Sequence, residues 1–254
     1  MRAVVLAGGR GTRLRPYTQV LPKPLMPVGD RPILDIVMRQ LHSAGFERVT
    51  ISTGYLAELI EAFFGAGEPY GVSIDYCRER EPLGTVGALS LIDDLDKPFL
   101  VMNGDVLTDI DYAELLTAHA ASDAAVTIAT KQREVQVSLG VLEFEDAADE
   151  SRLTGYVEKP KLHYEASIGV YCMSPRVLTH IEPGLRLDFP DLVLRLIEAG
   201  EVVRGRRWDG YWLDIGQHED FERANEEFEE VRDRLLPAEG ASRPSSMLGE
   251  AVRL

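Results

Sequence analysis

The sequence has few cysteines, no long apolar run and little positive charge. The two cysteines, Cys77 and Cys172, belong to no Cys-x-x-Cys or Cys/His pattern, so we expect two buried thiols and neither a zinc site nor a disulfide. No apolar run approaches the roughly 18 residues that a membrane-spanning helix needs. The apolar stretch near the first residue is too short for the core of a signal peptide. We therefore expect a cytoplasmic protein with no membrane partner.

Positive charge is scarce overall but concentrated at one end of the sequence. The 254 residues contain 27 basic and 42 acidic side chains, which give a formal net charge of -15. Residues 1–31 nevertheless carry six basic side chains and one acidic side chain. The overall negative charge disfavours nucleic acid as a partner, whereas a local positive surplus fits a small anion such as a nucleotide or a sugar phosphate. Self-association into a homo-oligomer is left open.

Strand and helix patterns alternate in the first half of the chain. Strand patterns lie at 3–7, 48–53, 72–77 and 99–102, and helix patterns at 33–44, 56–64 and 85–92. This alternation predicts an α/β fold with a Rossmann-like, doubly wound mixed sheet. In such a fold the ligand crevice lies beyond the carboxyl ends of the strands.

The second half predicts a smaller, mostly antiparallel region that completes a cleft with the first. Its strand patterns lie at 124–130, 139–144, 154–157 and 167–172, with short connections. An apolar stripe at 219–236 predicts a helix docked on the body. We place one domain at 1–236, with halves at 1–122 and 123–217 and a C-terminal helix at 218–236. We expect a flexible tail at 237–254 and, because no hexapeptide repeat is present, no β-helix domain.

A glycine-rich loop, Gly-Gly-Arg-Gly-Thr-Arg at 8–13, follows the first predicted strand. It does not fit the dinucleotide-binding pattern Gly-x-Gly-x-x-Gly, because Leu14 stands where the third glycine belongs, and no Gly-Lys-Ser/Thr tripeptide completes a P-loop. Bare backbone N–H groups in such a loop can bind a phosphate, with arginines at 10, 13 and 15 beside them. The alternative is a plain glycine turn with solvated arginines.

A lysine between two prolines lies further along the chain. Pro22 and Pro24 favour extended backbone around Lys23, which restricts the direction of its side chain. Together with 8–13, this pattern resembles the signature of the sugar-1-phosphate nucleotidyltransferases, also called nucleotide-sugar pyrophosphorylases. The resemblance covers about residues 1–225 and continues through Asn-Gly-Asp at 103–105, Glu-Lys-Pro at 158–160, Ile-Gly-Val-Tyr at 168–171 and Trp-Leu-Asp-Ile-Gly at 212–216.

The resemblance implies a reaction between two anions. The phosphate oxygen of a sugar 1-phosphate would attack the α-phosphorus of a nucleoside triphosphate, releasing pyrophosphate and leaving a nucleotide sugar, with Mg²⁺ as cofactor. Two unit charges about 4 Å apart repel by about 4 kcal/mol at an effective dielectric of about 20. The reaction therefore needs positive groups, a metal and in-line alignment, and it needs no covalent intermediate.

The resemblance also implies roles for individual residues. Arg13, Lys23 and Asp105 would be catalytic, and Asp105 would share the metal with Asp214. The nucleotide would be bound by Leu6, Ala7, Gly8, Gly9, Gly11, Thr12, Arg13 and Lys23. The sugar phosphate would be bound by Asn103, Gly140, Glu158, Lys159 and Gly169.

Several acidic residues have alternative explanations. The tripeptide Asp-Ile-Asp at 109–111 matches the Asp-x-Asp metal motif of glycosyltransferases. A helix pattern begins directly after it, so Asp111 is better explained as a helix N-cap and Asp109 as a surface residue. For Asp105 and Glu158, the alternatives are a turn residue and a surface ion pair.

The resemblance implies that segment 79–88 recognises the base of the nucleotide. Guanine presents N1–H and N2–H as adjacent donors that one carboxylate can accept, whereas uracil and thymine present a single ring N–H between two carbonyls. The segment is similar to that of mannose- and heptose-1-phosphate guanylyltransferases, which favours GTP. The residues predicted to contact the nucleotide here are Glu79, Glu81, Gly84 and Thr85.

Two alternatives to a GTP-using enzyme stay open. One is a UTP- or dTTP-using enzyme of the same family. The other is a non-catalytic protein of this fold that senses nucleotides or sugar phosphates, which is disfavoured because all the proposed catalytic and metal-binding side chains are present. At 187–191 the sequence Leu-Asp-Phe-Pro-Asp departs from the acidic Glu-x-Thr-Asp segment of thymidylyltransferases.

Overall fold

A computed structural model describes residues 1–146 and 151–236. The tail predicted at 237–254 lies outside the described residues. The strands are β1 (Arg2–Ala7), β2 (Pro27–Val28), β3 (Arg31–Pro32), β4 (Arg48–Thr53), β5 (Ser73–Arg78), β6 (Phe99–Asn103), β7 (Val106–Thr108), β8 (Val126–Gln136), β9 (Val141–Phe144), β10 (Leu153–Val157), β11 (Lys161–Met173), β12 (Val203–Arg207) and β13 (Trp212–Asp214). The helices are α1 (Ile33–Ser43), α2 (Ala57–Phe64), α3 (Gly84–Gly87), α4 (Tyr112–Ala120), α5 (Phe189–Glu198) and α6 (His218–Leu235).

A seven-stranded mixed sheet in the order β12-β8-β11-β6-β1-β4-β5 forms the centre of the molecule. β1 pairs in parallel with both β4 and β6, and β4 pairs in parallel with β5. β11 is antiparallel to β6 and to β8, and β12 is parallel to β8. The α/β class with a doubly wound mixed sheet is therefore confirmed. The antiparallel strands of the second half extend this same sheet, and β9 and β10 form a separate two-stranded sheet.

The largest differences from the predicted elements are the lengths of β8 and β11, which pair with each other. The sequence pattern predicts a strand at 167–172, and the structure begins the strand at Lys161. The first half of β11 is mostly exposed and pairs with the equally exposed end of β8. The sequence there does alternate, because Leu162, Tyr164 and Ala166 lie between polar residues, so the predicted start at 167 overlooks a strand pattern that the sequence contains.

Helices cover both faces of the sheet and bury two apolar clusters. One cluster contains the apolar faces of α1, α2 and α4, and the other contains those of α3 and α5. Val5 of β1 belongs to the first cluster and Val4 to the second, as the alternation of side chains along a strand requires. Cys77 and Cys172 are free and buried, as expected. No helix in the described part of the chain combines the length and apolarity that crossing a bilayer requires.

A third apolar cluster attaches α6 to the body. It joins α6 to β7, β13 and the segment that follows β1, and it includes Phe228 of α6. Gln217 and Asp220 form a capping box at the start of the helix. Gly29 lies under the Phe228 ring and donates its N–H to the side-chain oxygen of Asn225 at 3.0 Å. Helix α6 thereby holds the segment between β1 and α1 in place.

Replacing Gly29 with alanine should destabilise the fold more than the same change at Gly200. Both glycines have positive φ, so both variants carry backbone strain of about 1–2 kcal/mol. A Cβ at Gly29 would lie 2.1 Å from a ring carbon of Phe228, whereas one at Gly200 would meet no atom within 4 Å. We expect Gly29→Ala to lower the free energy of unfolding by about 1–3 kcal/mol more than Gly200→Ala. Urea denaturation of both variants measures this difference, and equal losses would contradict the packing of Phe228 on Gly29.

Candidate active site

A pocket of about 400 Å³ opens at the carboxyl ends of the parallel strands β1, β5 and β6. β1 lies between β4, which follows it in the chain, and β6, which comes later, so the strand order reverses beside β1. Crevices of doubly wound sheets form at such a reversal. The lining consists of Leu6, Ala7, Gly8, Gly9, Gly11, Thr12, Arg13, Lys23, Pro24, Glu79, Pro82, Gly84, Thr85, Asn103, Gly104, Asp105 and Asp188.

The structure brings most of the predicted nucleotide-binding residues into this lining. Only Glu81 among them lies outside it, with an exposed side chain. Asn103 and Asp105 also line the pocket, whereas Gly140, Glu158, Lys159, Gly169 and Asp214 do not. Pro24, Pro82 and Gly104 were not predicted, although each is a direct neighbour of a predicted residue. Asp188 has no predicted site residue next to it in the chain. The only sequence signal for its segment is the departure of 187–191 from the thymidylyltransferase pattern.

Close backbone approaches hold the glycine-rich loop against the sheet. Gly104, after β6, donates its N–H to the carbonyl of Leu6 at 2.9 Å. Gly11 has a positive φ of 58°, and a short turn of 3-10 helix (Thr12–Leu14) begins directly after it. The hydroxyl of Thr18 donates to the Gly11 carbonyl at 2.8 Å. The loop therefore presents its backbone at the pocket in a fixed conformation, which suits phosphate binding.

Lys23 and Asp105 form an ion pair inside the pocket. The distance from Lys23 Nζ to Asp105 Oδ2 is 2.5 Å, and Lys23 is only 8% exposed. Lys23 lies in a short turn between two prolines, and Asp105 follows β6. The other carboxylate oxygen of Asp105, Oδ1, is buried and has no hydrogen-bond partner. A buried acceptor of this kind normally has a partner, so Asp105 has an unused ligand atom.

Strand pairing brings Asp214 next to Asp105, although 108 residues separate them in the chain. β13 is antiparallel to β7, so that Asp214 lies opposite Val106, and the Ile215 N–H donates to the Asp105 carbonyl at 3.1 Å. The pKa of the Asp214 carboxyl is raised, first by the loss of hydration in this concave surface and then by the negative charge of Asp105. The residue nevertheless remains exposed to solvent.

The two aspartates fit the requirements of Mg²⁺. This ion uses one or two protein carboxylates and completes its octahedron with water and substrate phosphates. Two repelling carboxylates, one with an unpartnered buried oxygen, form a donor set that a divalent cation would neutralise. Across residues 1–146 and 151–236, no three His, Cys, Asp or Glu side chains form a group that could hold a metal by themselves. A metal here would therefore depend on ligands from the substrate.

Arg13 lies on the side of the pocket nearest β13. Its guanidinium nitrogens lie about 3.5 Å from the position that a Cβ on Gly216 would occupy. Its positive charge acts to lower the pKa of Asp214, as does that of Lys23. Two cations and two carboxylates thus share one small region, although the chain as a whole is strongly acidic.

Glu79 lies at the other end of the pocket with its carboxylate fixed by two donors. Its Oε1 accepts from the Ser52 hydroxyl at 2.8 Å, and its Oε2 accepts from the Leu83 N–H at 2.9 Å. A side chain on Gly8 would meet Oε1 at 2.7 Å, so the glycine-rich loop passes directly over Glu79. Each carboxylate oxygen retains a second lone pair for a ligand.

The predicted sugar-binding residues fall into two groups. Gly169 adjoins the pocket, because a Cβ on it would lie 2.8 Å from the amide nitrogen of Asn103. Gly140, Glu158 and Lys159 lie instead near the two-stranded sheet of β9 and β10. There, the Tyr156 hydroxyl packs over Gly140 and donates to Glu158 Oε2 at 2.8 Å.

Lys159 is unusual within the second group. Its φ is 47°, in the left-handed region that non-glycine residues seldom adopt. Lys159 Nζ lies 3.9 Å from a Glu158 carboxylate oxygen, and both side chains are 59% exposed. An exposed pair of this kind contributes little to stability. The weak ion pair therefore does not offset the backbone strain at Lys159. Uncompensated strain of this kind is typical of functional sites.

The competing Asp-x-Asp tripeptide is occupied by structural contacts. Asp111 caps α4 as predicted, since its Oδ1 accepts from the Glu114 N–H at 3.0 Å. Asp109 accepts from the Trp208 indole N–H at 3.0 Å and from Arg234 of α6, and its side chain is 13% exposed. The expected surface position of Asp109 is therefore wrong, because α6 covers it. Neither aspartate lines the pocket.

Removing the charge of Lys23 should destabilise the protein through Asp105. Lys23→Met keeps the length of the side chain but leaves a partly buried carboxylate without its cation, which should cost about 1–3 kcal/mol of unfolding free energy. Adding Asp105→Asn should recover at least half of that loss. Urea denaturation of the single and double variants measures the coupling. Lys161→Met, which breaks an exposed pair with Glu134, is the matched control; a loss as small as the control's would contradict a coupled pair in the pocket.

Comparison with known proteins agrees with this geometry. A family model described as nucleotidyl transferase matches residues 2–231. The chain is 35% identical over 235 residues to a mannose-1-phosphate guanyltransferase of Yarrowia lipolytica, covering 87% of this chain and 62% of the relative. It is 32% identical over 241 residues to a UTP–glucose-1-phosphate uridylyltransferase of Synechocystis, covering 87% and 61%. The chain thus spans about three fifths of the length of these curated relatives.

A solved structure supports the same grouping. HddC from Yersinia pseudotuberculosis, complexed with GMP-PN, superposes with a TM-score of 0.66 at 29% sequence identity. The match covers 89% of this chain and 99% of that chain. Because the family model spans nearly the whole described sequence, this chain belongs to the nucleotidyl transferase family.

Proposed function

We propose that this protein transfers a nucleotidyl group from a nucleoside triphosphate, with GTP favoured, to a sugar 1-phosphate, releasing pyrophosphate. One observation carries the proposal: the glycine-rich loop, Arg13, Lys23 and Asp105 converge in a single pocket at the carboxyl edge of the sheet. This combination meets the demand of a reaction between anions, which is to bind phosphates and offset their charge. Family membership, and relatives that carry out such transfers, support the same reaction.

In the proposed complex, the triphosphate lies along the glycine-rich loop. The backbone N–H groups of 8–13 would bind phosphate oxygens, and Arg13 would stabilise the charge that develops at the α-phosphate. Lys23 would then exchange part of its bond to Asp105 for a bond to the triphosphate. This exchange would leave Asp105, with its unpartnered Oδ1, available as an anionic ligand.

Asp105 and Asp214 would together hold the Mg²⁺ that this chemistry uses. When bound, the ion supplies positive charge to phosphate oxygens and helps to orient them. The β7–β13 pairing, which sets Asp214 opposite Val106, and the approach of Arg13 to Gly216 support a shared site for the two carboxylates and Arg13. The residues of the chain would thereby hold the α-phosphate in line for attack, with no covalent intermediate.

The sugar phosphate would approach from the side of β11. Asn103 and Gly169 adjoin one another at the edge of the pocket and would contact the sugar. Lys159 would bind its phosphate, and Glu158, oriented by Tyr156, would accept hydrogen bonds from sugar hydroxyls. Gly140 would leave room for the sugar beside the backbone. This second group is exposed and carries few competing contacts, which suits a site that receives a ligand.

GTP is the favoured donor because of the geometry of Glu79. Its carboxylate is oriented by Ser52 and Leu83 and keeps a free lone pair on each oxygen, which matches the adjacent N1–H and N2–H of guanine. The guanyltransferase relative and the neighbour complexed with GMP-PN support this choice. The uridylyltransferase relative supports UTP as the alternative.

The purified chain should release pyrophosphate when supplied with GTP, Mg²⁺ and a hexose or heptose 1-phosphate. A pyrophosphate assay across five nucleoside triphosphates and several sugar 1-phosphates measures this activity, and EDTA should abolish it. Asp214→Asn should lower kcat by about a hundredfold, because it removes a charge from the proposed metal site. Asp191→Asn, an exposed change on α5, is the control. Folded protein that binds GTP by calorimetry but is silent across the panel would instead support the sensing protein.

Glu79→Gln should reduce the preference for GTP over UTP. Glutamine replaces one of the two acceptors with a donor, so it cannot accept both N–H groups of guanine. We expect the ratio of kcat/KM values for GTP and UTP to fall by about tenfold or more. The matching variant Glu81→Gln tests the rival position. A larger effect at 81 than at 79 would assign base selection to the exposed residue and contradict the geometry.

A further inference from the structure

Asp188 stands at the N-cap position of α5 but does not cap that helix. An N-cap aspartate normally accepts from a backbone N–H in the first turn of its own helix. Here Pro190 provides no N–H, and the Asp188 side chain makes no capping bond. Its Oδ1 instead accepts the backbone N–H of Thr85 at 3.1 Å, from a segment 103 residues away.

The bond from Thr85 is one of several that join two segments, which we call the 83–87/187–189 clasp. In return, the Phe189 N–H, which begins α5, donates to the Thr85 hydroxyl at 2.6 Å. The N–H groups of Val86 and Gly87 donate to the Leu187 carbonyl at 3.1 and 3.2 Å. The Leu187 N–H donates to the carbonyl of Leu83 at 2.8 Å. Each segment thus satisfies the free backbone groups at the start of the other's helix.

Segment 83–87 depends on this clasp for its conformation. α3 has only four residues, too few to be stable alone. Gly84 has a φ of +78°, and a Cβ on it would lie 2.6 Å from the Leu187 carbonyl oxygen and 2.7 Å from Asp188 Oδ1. Such an approach is open only to glycine. The other side of the clasp is anchored, because the Phe189 ring stacks on Tyr171 of β11 at 3.7 Å.

The clasp borders the pocket and reaches Glu79. Gly84, Thr85 and Asp188 all belong to the lining. Leu83, the first residue of the clasp, donates its N–H to Glu79 Oε2 at 2.9 Å. The position of Thr85 therefore constrains Leu83, and through it the carboxylate proposed to read the base. The catalytic candidates Arg13, Lys23 and Asp105 lie on other segments, which follow β1 and β6.

We infer that Asp188 is a positioning residue for nucleotide binding: it holds the 83–87 turn, and with it Glu79, in the conformation that receives the base. The inference rests on the proposed function and adds the residue at the N-cap position of α5 to the nucleotide site. The proposed role depends on Asp188 Oδ1, which accepts the N–H of Thr85. Its other oxygen pairs with Arg186 at 3.1 Å, but both side chains are substantially exposed, so this ion pair contributes little.

The test compares Asp188→Ala with Asp188→Asn and with Asp191→Ala. The first variant removes the acceptor, and asparagine restores it without the charge. Asp191→Ala removes an equal charge from the first turn of the same helix, at an exposed position outside the lining. In Asp188→Ala we expect KM for GTP to rise about tenfold, the effect of losing a hydrogen bond to a charged group. We expect kcat and KM for the sugar 1-phosphate to change less than about twofold, Asp188→Asn to recover most of the loss, and Asp191→Ala to match the wild type.

Several results would overturn the inference. One is an Asp188→Ala loss that falls on kcat and leaves KM for GTP unchanged. A second is an asparagine variant as impaired as alanine, which would mean that the charge acts. A third is an Asp188→Ala loss as large for UTP as for GTP, which would mean that Glu79, the carboxylate proposed to select guanine, is not displaced. If Asp188→Ala does not fold, Phe189→Leu, which removes the ring that anchors the clasp on Tyr171 and lies outside the pocket lining, must raise KM for GTP at constant kcat.

The dissociation constant of GTP, measured by calorimetry, separates this inference from the proposed function. If the wild-type protein binds GTP but no panel substrate is turned over, the proposed reaction fails. The inference is still tested, because Asp188→Ala should weaken GTP binding about tenfold and Asp191→Ala should not. If turnover is found and both variants bind GTP equally, the inference fails and the proposed reaction stands.

Discussion

The hydrogen bonds that pair β1 in parallel with both β4 and β6 determine where the candidate active site of this protein lies. Parallel strands end at the same edge of a sheet, so the segments after β1, β4, β5 and β6 emerge side by side. Those segments carry the glycine-rich loop, Glu79 and Asp105. The bond from Gly104 to the carbonyl of Leu6 closes the gap between two of them.

Electrostatics in this pocket are local and nearly balanced. The chain has a net charge of -15, yet Arg13 and Lys23 face Asp105 and Asp214 within one small region. Lys23 forms an ion pair with Asp105. Asp214 lies beside Asp105, and the pKa of its carboxyl is raised by the loss of hydration and by the charge of Asp105. Such an arrangement keeps charges in a partly buried site before any ligand arrives. The net charge of the chain therefore says little about the charge of the pocket.

Long-range contacts position the segments that strand pairing leaves free. Helix α6 supports the region between β1 and α1 through Phe228 and Gly29. The clasp does the same for the turn after Glu79, with each segment satisfying the other's free N–H groups. Both devices use distant parts of the chain because the supported segments are too short to hold their own conformation. Pocket geometry is thus distributed over most of the described fold.

Local sequence alone determined the class of fold and the strand–helix alternation of the first half, and it identified the glycine-rich loop at 8–13, most of which lines the pocket. Those features depend on neighbouring residues: apolar periodicity, glycine content and the prolines around Lys23. It could not choose between Glu79 and Glu81. It also missed Asp188, because nothing near position 188 in the chain belongs to the pocket. Only the tertiary structure decided these points, since each depends on contacts between segments that lie far apart in the sequence and meet only when the sheet is assembled.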